Sequence, residues 1–309
     1  MRTFLAKSLG QDFPIATGGK VSEIGPMKRH GHRRARAAQR WMIQLKSVGI
    51  LLLLHTPAVG AQRADSAAQA RNPREVQPER PTVATHAGTV APGWIELESG
   101  GEWDRYADGG KVVSFPTNLK IGVGPRAQVN LIAAAFVGTA IDRSVRGIGD
   151  VTIGLKYRMI DDAPLLGDFA ILPSVKLPTA SSARGLGTGT TDASLLLISS
   201  RSVGPVDVDV NLGATRRSGD GATAPNIATL WTVSAGAPIA GRFGWTAEVF
   251  GYPGTSGDAG AKGIVALLAG PTFQPALRLA VDAGVIVPVT GPQPKALYTG
   301  FVWNIGPIP

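Results

Sequence analysis

Residues 205–215 read PVDVDVNLGAT, and this stretch decides the fold class because its side chains alternate between two faces. Successive side chains of a β-strand point to opposite sides, so a period of two indicates a strand with one apolar and one polar face. The apolar face carries Val206, Val208, Val210, Leu212 and Ala214. The opposite face carries Asp207, Asp209, Asn211, Gly213 and Thr215.

The same alternation recurs in residues 94–105, 151–160, 277–287 and 296–305, and no amphipathic helical stretch follows residue 93. These segments have the length that a tilted strand needs to cross the hydrocarbon layer of a bilayer. Trp94, Trp103, Trp231, Trp245 and Trp303 lie near predicted strand ends or on apolar faces, as interfacial aromatic girdles do. We therefore predict an all-β protein, a transmembrane antiparallel up-and-down β-barrel.

The pattern predicts about twelve strands between residue 93 and the C-terminus, joined by short turns that alternate with longer loops. The strands that begin near residues 190 and 262 are weakly patterned, with Leu195 to Ile198 running together, so ten or fourteen strands also fit. Unpaired backbone groups in lipid cost several kcal/mol each, so the first strand near Trp94 should pair with the last near Trp303 and close the barrel. An even strand number places both termini on the periplasmic side.

The charge of the chain is concentrated at its N-terminus. Residues 1–61 hold ten Lys and Arg against two Asp and Glu, whereas residues 62–309 hold 21 against 20. Residues 42–61 read MIQLKSVGILLLLHTPAVGA, with one basic residue, a short apolar core and small residues before Ala61, as in a secretory signal peptide. Removal of this leader takes away the basic excess, so we expect no nucleic-acid partner.

Four regions follow from these boundaries. Residues 1–41 are either not translated, with Met42 or Met27 as the start, or form an extended basic n-region. Residues 42–61 are the signal peptide, with cleavage after Ala61, and residues 62–92 are a flexible periplasmic lead-in. Residues 93–309 form the barrel in the outer membrane of a Gram-negative envelope.

Several segments resemble a known family, the outer-membrane transporters named for the meta-pathway of phenol degradation. The resemblance covers roughly residues 80–305 and is carried by residues 80–81, 89–100, 147–151, 154–158 and 173–179. It implies a porin-like barrel that passes small, often hydrophobic or aromatic, molecules. It supplies no catalytic residues.

We expect no enzyme activity, no cofactor and no metal site. The four histidines are His30, His32, His55 and His86, and all precede the first predicted strand, which argues against a histidine-based hydrolase. Function is instead expected in the lumen, where the polar faces meet and pass a small-molecule solute. The lumen-lining candidates are Glu96, Glu98, Glu102, Asp104, Lys120, Lys156, Arg158, Lys176, Asp207, Asp209, Glu248, Arg278 and Asp282.

Two other functions fit the sequence. One is a structural or surface-interaction barrel without transport, whose long loops, such as 179–189, bind a partner. The other is a soluble periplasmic β-sandwich, in which the apolar faces form a core instead of contacting outer-membrane lipid. The sequence names neither a substrate nor an oligomeric state, and the lumen charges fit an open pore or a closed polar interior.

Overall fold

The computed structural model describes residues 72–139, 146–219, 221, 225–257 and 259–309. The predicted signal peptide, residues 1–41 and the first ten residues of the predicted lead-in lie outside these ranges. Within them, no helix is long and apolar enough to cross a membrane. Antiparallel strands make up most of the described chain, and a single 3-10 turn spans Ser182–Arg184.

The strands, in chain order, are β1 (Trp94–Arg105), β2 (Lys111–Gly124), β3 (Ala127–Thr139), β4 (Arg146–Gly147), β5 (Val151–Ala163), β6 (Gly167–Leu177), β7 (Asp192–Val203), β8 (Val206–Arg217), β9 (Ile227–Ala240), β10 (Phe243–Tyr252), β11 (Ile264–Ala276), β12 (Leu279–Thr290) and β13 (Lys295–Pro307). Twelve of them are long. The two-residue strand β4 only extends the pairing at the end of β3.

The twelve long strands form one closed ring. Each pairs with its neighbour in sequence, and β1 pairs along its whole length with β13, from Trp94 opposite Pro307 to Arg105 opposite Lys295. Closure leaves no sheet edge without backbone partners, which a strand in lipid requires. The predicted twelve-strand barrel and the pairing of its first and last strands are confirmed, and the β-sandwich alternative is wrong.

The apolar face of each strand points out of the barrel. On β5, Ile153, Leu155 and Tyr157 are each 45% exposed, whereas Lys156 between them is fully buried. Trp103 and Trp303 are also exposed on the outer surface. An apolar exterior is the arrangement of a membrane-spanning barrel and the reverse of a soluble one.

The two ends of the barrel differ in their connections. One end, here called the turn end, carries Trp94, Pro307 and short connections such as Gly204-Pro205 and Gly241-Arg242. Gly204 and Gly241 adopt φ of 60° and 55°, which tight hairpin turns need and which L side chains rarely adopt. The opposite end, the loop end, carries longer connections such as residues 178–191. This is the predicted asymmetry of short turns and long loops.

Candidate functional site in the barrel interior

The N-terminal residues 72–92, here called the interior segment, run inside the barrel. Val83, Ala84 and Ala87 are at most 1% exposed, and Glu79 and Arg80 are also buried. The expectation of a flexible periplasmic lead-in is therefore wrong for these residues. Their Pro, Gly and Thr content disfavours regular structure, but polar groups on the barrel wall hold them in place.

The interior segment crosses the lumen from wall to wall. Near the turn end, the Val76 amide donates to the Leu277 carbonyl. Val83 and Ala84 reach β10, Thr85 reaches β8, and the chain then returns past β7 and β3 to the start of β1. The segment thus fills part of the cross-section of the barrel, close to the middle and the turn end.

Wall side chains accept hydrogen bonds from the backbone of the interior segment. The Glu248 carboxylate accepts from the Val83 and Ala84 amides at 2.7 Å each, and Glu98 accepts from the Glu79 amide at 2.7 Å. Glu96 accepts from the Gln77 amide at 2.9 Å. A buried segment without regular secondary structure must find partners for its amides, and here wall carboxylates supply them. This gives several predicted lumen acids a definite role.

Arg80 forms a buried ion pair with Asp282 on β12. Its Nε and Nη2 donate to the two carboxylate oxygens at 2.8 and 2.7 Å, the bidentate geometry that favours arginine. The guanidinium lies against Gly100 and Gly300, which face each other across β1 and β13. A Cβ on Gly300 would come within 2.1 Å of Nη2, so the side chain fits only because the wall is bare at this point.

The Glu79 carboxylate lies on the opposite part of the wall, among side chains from three neighbouring strands. Lys156 Nζ of β5 pairs with Glu79 Oε1, and Gln128 Nε2 of β3 donates to the same oxygen at 3.0 Å. Asn118 Nδ2 of β2 lies 3.4 Å from Oε2. Burial alone would raise the pKa of Glu79, but the charges of Lys156 and Lys120 outweigh it and hold the pKa well below its usual range.

Lys120 on β2 joins two other predicted residues into a cluster. Its Nζ is 2.5 Å from Glu96 Oε1 and 2.8 Å from Glu98 Oε1, and all three side chains are buried. Lys120 also donates to the Gln77 carbonyl of the interior segment. Two carboxyl groups thus share one ammonium group in this part of the wall.

A second polar cluster lies at the loop end. Lys176 Nζ lies 3.2 Å from both Asp150 and Asp192, and Arg217 approaches Asp192. The loop 178–191 folds onto this cluster, because the Thr188 amide donates to Asp150 at 3.0 Å. Sequence reasoning found Lys176 but not its partners, since Asp150 and Asp192 flank strands where turn geometry also explains an aspartate.

The remaining predicted residues are distributed along the wall. Glu102 and Asp104 are buried near the loop end of β1, and Arg158 pairs with Asp161 at 2.8 Å near the turn end. Arg278 lies in the turn before β12, where its guanidinium carbon is 5.3 Å from the centre of the Trp94 ring. Arg278 therefore lies at the rim of the barrel, where its guanidinium group stacks against an aromatic side chain.

Part of the wall is apolar, which the polar candidate set did not anticipate. Here called the apolar wall, it consists of inward apolar side chains on β6, β7 and β9 to β13, which alternate with polar residues such as Glu248 and Asp282, and it packs against Val83 and Ala87 of the interior segment. The sequence contains a signal for this wall, namely runs of consecutive apolar residues such as Leu195–Ile198. In such a run both faces of the strand are apolar, so the inward face is apolar too. Its inward members are Ala170, Leu172, Leu196, Ile198, Leu230, Phe250, Ala266, Leu268, Ile286, Ala296 and Tyr298.

A cavity of about 1100 Å³ lies at the turn end, between the interior segment and the wall. Asp207 and Asp209 of β8 line it, together with Arg80 and His86. Asp209 Oδ1 accepts from the Ser200 hydroxyl at 2.6 Å, and Asp207 accepts from the Ser202 hydroxyl at 2.5 Å. Both predicted acids therefore line this turn-end cavity.

Comparison with known proteins agrees with this architecture. The family described as "Putative MetA-pathway of phenol degradation" matches residues 79–301. An outer membrane channel from Pseudomonas putida F1 is similar in structure, with a TM-score of 0.55, 12% identity, and coverage of 71% of this chain and 98% of the channel. The NanC porin has a TM-score of 0.47 and 9% identity, covering 67% of this chain and 98% of the porin. No curated protein matches the sequence.

Proposed function

The chain belongs to the phenol-degradation family that matches residues 79–301, and we propose that it is an outer-membrane channel or transporter for small molecules. The observation that carries the proposal is a closed twelve-strand barrel whose lumen holds the chain's own N-terminal segment. Solute passes through the interior when the interior segment leaves its place. The similar fold of a bacterial outer membrane channel supports this, as does the apolar exterior.

The segment is bound in a way that allows displacement. Besides the ion pairs of Glu79 and Arg80, it is held by bonds between its backbone and single wall side chains, such as Thr85 with Asn211 and Ala87 with Ser200. Each neutral bond of this kind contributes only about 0.5–1.5 kcal/mol net to stability. The barrel has its own closed hydrogen-bonded ring, so it remains folded when the contacts of the segment break.

The solutes are proposed to be small and partly apolar. The lumen presents buried charged groups on several strands and the apolar wall on β6, β7 and β9 to β13. A solute with an apolar body and a polar group matches both surfaces, whereas a large hydrophilic solute matches only one. The family's link to phenol degradation supports the same class.

No enzymatic step is proposed for this interior. His86 lines the turn-end cavity, and its carbonyl accepts from Lys156 at 2.9 Å. The other three histidines precede residue 72. The lumen carboxylates bind lysine, arginine or backbone amides, which assigns them a binding role.

Reconstitution in planar lipid bilayers tests the function. We expect the wild-type protein to give small, intermittent conductance, and Arg80→Ala to give larger and longer openings because Asp282 then loses its partner. The matched control is Arg105→Ala, which removes an exposed arginine from the loop end of β1. Absence of conductance for both the wild type and Arg80→Ala would overturn the proposal.

Export and location are part of the same proposal. We propose that cleavage after Ala61 releases the mature chain and that the barrel inserts in the outer membrane with its turn end toward the periplasm. Outer-membrane fractionation with heat-modifiable migration on gels, and N-terminal sequencing of the mature protein, test both points. A soluble periplasmic fraction or a retained leader would contradict them.

A surface-interaction barrel remains the second candidate, because loop 178–191 is the longest connection whose residues are all described. Its inward anchoring, with Leu186 buried at 3% exposure, favours a part in closing the loop end over free partner binding. Deletion of residues 179–189 separates the two functions. A channel should change in conductance, whereas a binding scaffold should lose its partner with permeability unchanged.

A further inference from the structure

The barrel-wall side chains around the Glu79 carboxylate are hydrogen-bond donors, as in an anion-binding site. Its donors are Lys156, Gln128 and Asn118, which come from the adjacent strands β5, β3 and β2. We call these three residues the carboxylate cradle. Lys156 and Gln128 are fully buried and Asn118 is 8% exposed, so the donors are fixed in the wall and shielded from solvent.

Lys156 differs from the neighbouring Lys120 in where its partners come from. Within the part of the chain that the structure describes, the acceptors of Lys156 Nζ all belong to the interior segment: Glu79, Thr85, His86 and Gly88. Lys120, in contrast, pairs with Glu96 and Glu98 of the wall itself. If the segment moves, Lys120 keeps Glu96 and Glu98, whereas Lys156 loses the carboxylate with which it pairs.

The cradle borders the apolar wall. Gly154 precedes Lys156 by two residues on the same inward face of β5, and a Cβ there would lie 2.9 Å from Leu172 Cδ1. Leu172 belongs to the apolar wall, where Val83 of the interior segment also packs. The interior segment therefore presents a carboxylate to the cradle and apolar side chains to the adjoining surface.

We propose that the carboxylate cradle and the adjoining apolar wall form a binding site for small monocarboxylates with an apolar body, such as aromatic acids. Glu79, Val83 and Ala87 occupy this site as an internal stand-in for the solute. The inference rests on the proposed function, since a solute reaches the site only when the interior segment is displaced.

The charge of the site favours a ligand with a single negative charge. One lysine and two carboxamides supply a single positive charge and further neutral donors, which suits a carboxylate. Glu96 and Glu98 lie close by and already occupy Lys120, so a dianion such as a phosphate monoester finds no second cation at the site. Monocarboxylates are thus favoured over both dianions and neutral molecules of the same shape.

Channel block in planar bilayers tests the site with sodium benzoate as the probe and benzamide as its neutral counterpart. In Glu79→Ala, whose cradle lacks its internal carboxylate, we expect benzoate to block current at concentrations at least about tenfold below those of benzamide. The double variant Glu79→Ala/Lys156→Met should lose that difference. The matched controls are Glu75→Gln, an exposed acid four residues upstream, and Lys111→Met, an exposed lysine at the loop end of β2.

The wild-type channel supplies a second measurement that needs no variant to fold. Benzoate competes with Glu79, so it should raise the open probability of the wild type, whereas benzamide should leave it unchanged. Equal effects of benzoate and benzamide in a conducting protein would overturn the inference and leave the proposed function intact. Absence of conductance in every variant would overturn the proposed function and the inference together.

Discussion

The inward polar side chains of the barrel, here called the polar wall, and the inward apolar side chains of the apolar wall hold the same segment by different means. The polar wall binds named atoms, as where Lys156 contacts Glu79 and Lys120 contacts the Gln77 carbonyl. The apolar wall packs against Val83 and Ala87 without directional bonds. Directional bonds set the position of the segment and the contacts that must break, whereas apolar packing adds stability that depends little on exact position.

The largest effect is expected where a buried charge loses its partner. Arg80→Ala leaves Asp282 buried and unpaired, and removing one member of a buried pair costs about 3–5 kcal/mol. We expect a lower thermal unfolding temperature and cleavage by added protease within residues 72–92. Arg80→Ala/Asp282→Ala should recover part of the stability, because the uncompensated carboxylate is also gone. Equal stability of Arg80→Ala and the exposed control Arg105→Ala would contradict the assignment.

A smaller effect is expected from Gly300→Ala, which keeps the charge of Arg80 but occupies the space beside its guanidinium group. In Gly300→Ala, the new methyl group would lie 2.1 Å from Arg80 Nη2, so the guanidinium must shift away from Asp282. We expect intermediate openings in bilayer recordings, between those of the wild type and Arg80→Ala. Gly124→Ala is the control, since its nearest neighbour is the Ala127 methyl at an ordinary 3.6 Å. The assignment fails if both alanine variants record like the wild type.

Truncation of a side chain in the apolar wall should lower the stability of the protein more than it changes the conductance. Leu268→Ala leaves a void beside Phe250, and such truncations in protein cores cost about 2–5 kcal/mol. We expect a lower unfolding temperature but closed-state conductance near that of the wild type, because the ionic contacts of the segment are intact. The control is Leu267→Ala, whose side chain is 49% exposed on the outer surface. Conductance as high as in Arg80→Ala would show that the two walls do not differ in this way.

The smallest effect on the interior segment is expected from the loop end. Lys176→Met breaks contacts with Asp150, which directly precedes β5 and binds loop 178–191, and with Asp192 at the start of β7. We expect altered proteolysis of that loop with unchanged protection of residues 72–92. Mass spectrometry of the fragments measures both in one experiment. Loss of protection in both regions would mean that the two polar clusters act as one.

The alternation in the sequence was sufficient to predict the strands and which side chains point inward. It is visible wherever the outward face of a strand is apolar and the inward face is polar. Residues such as Lys156 on β5 and Leu212 on β8 follow this rule. The rule does not apply where both faces are apolar, as at Leu195 to Ile198, and there the apolar wall was missed. The interior segment was missed for a different reason.

Residues 72–92 show no periodicity because their backbone bonds go to side chains of distant strands. Thr85 bonds to Asn211, and Arg80 bonds to Asp282, more than a hundred residues away along the chain in each case. The local composition correctly predicts that such a segment has no regular secondary structure. It does not indicate which wall residues the segment binds. The carboxylates that bind it were identified as lumen residues, and only the fold shows that their ligands are backbone amides and Arg80.

The central claim, that the interior segment occupies the lumen and is held there by wall charges, can be measured by thiol labelling, since the natural chain has no cysteine. Ala87 is fully buried and Glu75 is exposed, so each is replaced by cysteine in turn, with and without Arg80→Ala. A membrane-impermeant thiol reagent should label Glu75→Cys rapidly in both backgrounds, and Ala87→Cys rapidly only with Arg80→Ala. Equally fast labelling of Ala87→Cys and Glu75→Cys with Arg80 intact would contradict the claim.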